Sequence, residues 1–139
     1  MIIGYTTGVY DLFHIGHVNL LNNAKAMCDK LIVGVSTDEL VEKHKNKRPV
    51  ISFSERAEIV RNIKCVDCVV AQENYDKEEM HSKLNFDVMF VGDDWHNTEK
   101  WQDVEKNFAI KGVRIIYFPY TKTTSSTLIN ATLIDLRNS

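Results

Sequence analysis

Along the chain, short runs of apolar, largely β-branched residues alternate with longer stretches in which apolar positions recur every three or four residues. The runs at 1–7 (MIIGYTT), 30–36 (KLIVGVS), 66–71 (VDCVVA), 87–92 (DVMFVG) and 113–118 (VRIIYF) are near-continuously apolar, as strands buried on both faces are. The stretches between and after them predict helices at 15–28, 53–63, 75–84, 98–112 and 126–137. In the first of these, Val18, Leu21, Ala24 and Cys28 fall on one stripe. Ser52 and Glu55 have the spacing of a capping box, and Gly112 stands in the C′ position of the fourth helix.

Strand and helix in repeated alternation predict an α/β protein: a five-stranded parallel sheet with helices on both faces. No internal repeat, low-complexity segment or linker divides it, so residues 1–139 read as one domain. In such sheets, ligands bind beyond the C-terminal ends of the strands, where the strand order reverses. Candidate chemistry is therefore sought in the segments after strands: 8–17, 37–51, 72–77, 92–97 and 119–127. The second of these reads as a loop and carries the one local charge bias, EKHKNKRP at 42–49.

Composition narrows the classes. A chain with 44% hydrophobic and 26% charged residues and a net charge of −2 has no electrostatic basis for nucleic-acid or membrane-surface binding. No apolar run approaches the roughly 18 residues of a spanning helix, and the N-terminus lacks the layout of a signal peptide. A cytoplasmic protein with neither nucleic-acid nor membrane partners is the expectation. Three cysteines, Cys28, Cys65 and Cys68, fit a reducing compartment. The C-x-x-C at 65–68 has no second pair to complete a zinc site and lies at the start of a strand, so half-buried thiols are expected there.

The most informative stretch is GVYDLFHIGH, residues 8–17, where the first strand hands over to the first helix. Gly8 permits a tight bend there, and the free N–H groups of a helix beginning near Ile15 attract phosphate. His14 and His17 lie three apart on the first turn, each able to donate Nε2–H to a phosphate oxygen, and Gly16 between them leaves room for a ligand. A metal would need further ligands that this spacing does not supply.

The string GVYDLFHIGHVNLLNNAK resembles the nucleotide-binding signature of the cytidylyltransferase family, within the nucleotidyltransferase superfamily. VGDDW at 91–95 is similar to the glycerol-3-phosphate branch of that family, and the resemblance runs from Ile3 to about Leu133. It implies a Rossmann-like fold and transfer of CMP from CTP to glycerol 3-phosphate, giving CDP-glycerol for a cell-surface polymer such as wall or capsule. Pyrophosphate is released without a covalent enzyme intermediate. It further implies Mg2+ bound with the CTP phosphates, no protein metal site, and a homodimer.

Carried over residue by residue, the resemblance makes His14, His17 and Lys45 catalytic. The two histidines would hold the α-phosphate as it becomes five-coordinate. Lys45 would meet the transferring and attacking phosphates, with Lys47 on the nucleotide and Lys43 competing for the role. Gly8, Val9, Tyr10, Asp11 and Gly16 would lie along the nucleotide. Gly92 would admit the base to the backbone, and Asp94 would accept from the cytosine amino group or organise substrate hydroxyls. Tyr75 and Lys77 would serve the acceptor, with Lys45, and Arg56 would help fix the site or the substrate. In the last signature Thr121, Lys122, Ser125, Ser126 and Thr127 would face the triphosphate. There the chain departs from the family, with Tyr120 in place of an arginine and Thr123 in place of a glycine. That change removes a bidentate cation. Three other readings stand beside the first: another small phosphomonoester as acceptor (phosphoethanolamine, phosphocholine or a polyol phosphate), ATP as donor, or a nucleotide-binding module without turnover.

Overall fold

The computed structural model describes residues 1–92 and 99–118. Each apolar run is a strand: β1 (Ile3–Gly8), β2 (Lys30–Ser36), β3 (Cys68–Gln72), β4 (Val88–Gly92) and β5 (Arg114–Phe118). All pair in parallel, in the order β3-β2-β1-β4-β5. The helices are α1 (Ile15–Lys25), α2 (Asp38–Lys45), α3 (Phe53–Arg61), α4 (Lys77–Leu84) and α5 (Glu99–Ile110).

The near-continuous hydrophobicity of the strands has its cause in two cores. Side chains alternate across a strand, so Leu31, Val33 and Val35 of β2 join Val88 and Phe90 of β4 on one face, beneath Leu21 and Ala24 of α1 and Val60 of α3. The intervening Ile32, with Tyr5, Met89 and Val91, packs on the other face against Phe86 and against Trp101 and Phe108 of α5. Burying a side chain such as Leu21 or Phe108 completely contributes about 1.5–3 kcal/mol each. Among the described residues no helix is long and apolar enough to cross a membrane.

Gly112 does end α5. Its φ of +78° is the left-handed conformation of a C′ residue, its N–H bonds to Ala109 O at 3.1 Å, and the Val113 N–H bonds to Phe108 O at 2.8 Å. These are the two bonds of a Schellman motif.

Two local expectations are corrected. Residues 38–45, read as loop, form α2. Thr37 caps its start by accepting from the Leu40 N–H (3.2 Å), Asp38 and Glu39 stand in its first turn, and Lys43, His44 and Lys45 stand in its last. Only Leu40 and Val41 are buried, so the apolar periodicity was too short to announce a helix. The Ser52–Glu55 capping box does not form. Ser52 is the N-cap of α3, but its hydroxyl contacts the Glu55 carboxylate (3.3 Å) instead of a backbone N–H.

Packing is close over Gly34 in β2. A Cβ at that position would come within 2.5 Å of the Tyr5 hydroxyl, and the Tyr5 ring is itself stacked on Phe86 at 4.9 Å. Gly34→Ala is therefore expected to cost about 1–3 kcal/mol through overpacking. In urea unfolding this reads as a lower midpoint with an unchanged slope.

Candidate active site

The sheet order reverses between β1 and β4, and there the two strands part. Against β2, the register of β1 runs on to Gly8↔Val35, but against β4 it stops at Thr6↔Phe90. The buried Thr6 hydroxyl closes the last step by donating to the Phe90 carbonyl at 3.0 Å. Beyond it the two strands are no longer paired, at the carboxyl ends where ligands bind in open α/β sheets. Residues 8–17 stand on one side and Gly92, at the end of β4, on the other.

The bend after β1 is not made by Gly8. Tyr10 (φ 56°) and Leu12 (φ 51°) take the left-handed conformation, uncommon for side chains of this size. Gly8 serves packing instead: the Tyr10 ring lies 2.9 Å from where a Gly8 Cβ would stand. Tyr10 itself is buried, and burial pushes its phenol well above the usual range.

His14 and His17 cap α1 reciprocally. The Gly16 N–H donates to His14 Nδ1 at 3.0 Å, and the His14 N–H donates to His17 Nδ1 at 3.2 Å. The rings lie 4.0 Å apart. The sequence had offered the first-turn N–H groups to a phosphate, but those of His14 and Gly16 are engaged by imidazoles and that of His17 by the His14 carbonyl (3.0 Å). A backbone N–H can only donate, so both Nδ1 atoms are bare acceptors. In a neutral imidazole the proton then sits on Nε2. The capping geometry leaves each ring one Nε2–H donor.

The electrostatics agree. Burial lowers the pKa of His14 and, more strongly, that of His17 to about 4; the neighbouring His14 adds to the effect and Asp11 opposes it. Protonating Nδ1 would also set two donors face to face at the positive end of a helix. His17 is enclosed by the rings of Phe13 (5.0 Å), Tyr10 (5.3 Å) and His14.

A buried guanidinium holds these loops together. Arg56 of α3 has no exposed surface. Its Nε donates to Ile51 O (2.8 Å), its Nη1 to Val9 O (2.7 Å) and Ser36 O (2.8 Å), and its Nη2 to Asp38 (2.8 Å). It thus ties the β1–α1 loop, the end of β2 and the start of α2 to α3. Every bond described for Arg56 goes to the protein's own frame. Asp38 also accepts from the Phe53 N–H (3.1 Å). Burial raises its pKa, and the bonds from Phe53 and Arg56 outweigh that and hold the carboxyl below the ordinary value. Asp11 bonds through both oxygens to the N–H groups of Val50 (2.8 Å) and Ile51 (2.9 Å). It anchors the segment after α2 to the histidine loop.

Helix geometry separates the lysines. Lys45 falls seven residues after Asp38, on the same side of α2, the side turned toward Arg56 and the first turn of α3. Lys43 lies on the opposite side with Glu39 and His44. There it lines an open cleft of about 440 Å3 against Glu73 and Tyr75. Lys45 and Lys47 are both exposed. Tyr75 meets His44 edge-on at 4.5 Å. The Lys77 ammonium donates to the Tyr75 carbonyl (3.1 Å) and lies 4.8 Å from the centre of the Trp101 ring. Tyr75 and Lys77 thus belong to the β3–α4 side of the sheet edge, and the structure brings neither into contact with the histidine pair.

Asp94, Thr121, Lys122, Ser125, Ser126 and Thr127, with the substituted Tyr120 and Thr123 and the helix expected at 126–137, lie outside the described residues. Sequence reasoning missed Phe13, Asp38 and Thr6. Phe13 and Asp38 lie in the segments singled out after strands, but neither residue type signalled its part. Among the described residues no three His, Cys, Asp or Glu side chains group to hold a metal ion.

Two outcomes follow from this geometry. Arg56→Met leaves three carbonyls and a carboxylate without their donor. It is expected to cost about 3–5 kcal/mol, and Lys, which cannot bridge them, should not rescue it; a thermal melt reads both. Because the His17 pKa is depressed, the unfolded chain binds a proton between pH 6.5 and about 4 that the folded chain refuses. Its stabilising contribution is full above 6.5 and declines as pH falls through that window. The melting temperature of His17→Gln, where Gln can keep the bond to the His14 N–H, should fall less steeply over the same range than that of the wild type.

The family model described as cytidylyltransferase-like matches residues 5–132. The glycerol-3-phosphate cytidylyltransferase of Bacillus subtilis is 33% identical over 132 residues, which is 94% of this chain and 96% of that protein. An FAD synthase of Thermococcus sibiricus is 36% identical over 116 residues, 81% of this chain and 78% of its own. Among solved structures, the lipopolysaccharide core biosynthesis protein of Thermoplasma volcanium shares the fold, with a TM-score of 0.72 at 22% identity over 89% of this chain and 99% of that one. With its parallel sheet, its reversal of strand order between β1 and β4 and its paired histidines, the chain belongs to the cytidylyltransferase-like family of nucleotidyltransferase enzymes.

Proposed function

We propose that the protein transfers CMP from CTP to glycerol 3-phosphate, releasing pyrophosphate and forming CDP-glycerol. The observation that carries this reading is the reciprocal histidine cap: with both Nδ1 atoms engaged, two oriented Nε2–H donors remain for one phosphate. The near full-length likeness to a glycerol-3-phosphate cytidylyltransferase supports the choice of substrates.

The reaction is an in-line attack by a phosphate oxygen of the acceptor on the α-phosphorus of CTP, with pyrophosphate leaving. Both reactants are anions, so catalysis comes from positioning and fixed electrostatics rather than from a covalent intermediate. His14 and His17 donate Nε2–H to the α-phosphate oxygens, as neutral groups that keep their orientation while charge accumulates. Positive charge comes from Lys45, which meets the transferring and attacking phosphates, and from Lys47. Asp11, Asp38 and Arg56 hold the two loops at their spacing. Mg2+ comes with the triphosphate and supplies charge neutralisation at the β- and γ-phosphates. The described residues offer it no set of protein ligands. The enzyme works as a cytoplasmic homodimer that feeds the synthesis of a cell-surface polymer.

A second reading, with ATP as donor, is favoured by the likeness to an FAD synthase at 36% identity. Pyrophosphate release separates the two. The purified protein with Mg2+ and CTP is expected to respond to glycerol 3-phosphate and not to phosphocholine or phosphoethanolamine, and to lose the response when ATP replaces CTP. Release with ATP alone would overturn the proposal. His17→Ala is expected to lower kcat by about 10²-fold or more, the scale of a lost transition-state donor, with CTP affinity changed far less. Near-normal turnover would remove His17 from the mechanism.

A further inference from the structure

The aromatic residues around His17 have no part in the chemistry so far, yet they touch its ring on several sides. The Phe13 ring lies 5.0 Å from that of His17 at an interplanar angle of 35°, the Tyr10 ring lies 5.3 Å away edge-on, and Tyr10 and Phe13 are 6.2 Å apart. Tyr10 is buried among the core side chains, and Phe13 packs half-buried against the same cluster. The loop that carries Tyr10 turns through left-handed backbone conformations at residues 10 and 12.

Resting on the proposed role of His17, we propose that Phe13 is a positioning residue of the reaction: with Tyr10 it forms an apolar collar that excludes water from the His17 imidazole and keeps Nδ1 the acceptor of the His14 N–H. The collar acts through His17 and touches no substrate.

Its physical basis is the choice His17 faces on losing neutrality. A protonated ring needs solvent or an acceptor at Nδ1, but that atom faces a backbone donor at 3.2 Å, and the apolar rings of Phe13 and Tyr10 lie against two sides of the imidazole. Among the described residues, the titratable groups that act on His17 are His14, whose charge disfavours protonation, and Asp11, whose charge favours it. The Tyr10 phenol stays neutral. Removing the Phe13 ring admits water without altering either charge, so its effect is separable from theirs. The consequence for turnover is a pH range. With the collar in place the cap and the Nε2–H donor persist well below neutrality, and without it they fail nearer the ordinary histidine range.

The test compares wild type, Phe13→Leu and Phe13→Ser by NMR titration of the His17 imidazole and by pH profiles of kcat/KM for CTP. In the wild type, His17 is expected to titrate near 4. Phe13→Leu keeps an apolar side chain and should match it. Phe13→Ser should raise the midpoint by more than about one unit toward the ordinary value and move the acidic limb of kcat/KM upward with it, while kcat at pH 8 stays within about twofold. An unmoved His17 midpoint in Phe13→Ser overturns the collar. A wild-type midpoint near 6.5 overturns it without any variant, even if Phe13→Ser fails to fold. A midpoint that moves while the acidic limb does not would leave the collar without a part in the reaction and overturn the proposal. The titration needs no turnover, so an absence of CTP-dependent activity would fall on the proposed function alone.

Discussion

An imidazole that caps a helix cannot take up a proton at the capping nitrogen without breaking the cap. His14 and His17 each accept a backbone N–H of the first turn of α1 at Nδ1, so helix geometry and protonation state are one constraint. It fixes the tautomer, satisfies donors that the helix end would otherwise leave open, and leaves two Nε2–H groups as the polar face of the turn. In the proposed reaction, phosphate would be met at this helix end by imidazoles more than by backbone N–H groups.

The surroundings serve that constraint. The pairing of β1 and β4 ends at the Thr6–Phe90 step, at the point where the strand order reverses. Arg56 is held within the protein at the junction of four segments, and its partner Asp38 also fixes the start of α3. Asp11 pins the chain after α2 against the histidine loop. These are charged groups acting as structural connectors. Such a group is costly to bury unless its partners are complete, and here the completeness of the bonds sets the spacing between the histidines and the lysine-bearing helix.

Much of the fold was legible because its signal is simple. A strand covered on both faces has to be apolar at successive positions, and all five runs became strands, with ends shifted by a residue or two. The likeness at residues 8–17 pointed to the family before any geometry was known. What stayed hidden depends on three-dimensional partners. Arg56 sits on an amphipathic helix, where an arginine reads as solvated, and only the convergence of Val9, Ser36, Ile51 and Asp38 makes its burial possible. α2 has just two core residues and owes its ends to Thr37 and to the left-handed Asn46. The bend at Tyr10 and Leu12 uses residues that do not announce a positive φ, whereas the glycine that does announce it turned out to make room for a ring.

The most direct measurement is the ¹⁵N spectrum of the two imidazoles at neutral pH, without ligand. The reciprocal cap requires that both His14 and His17 show Nδ1 as an unprotonated, hydrogen-bonded nitrogen and Nε2 as the protonated one. If either ring carries its proton on Nδ1, or is an imidazolium at pH 7, the cap does not hold the donors in place and the account of this site fails.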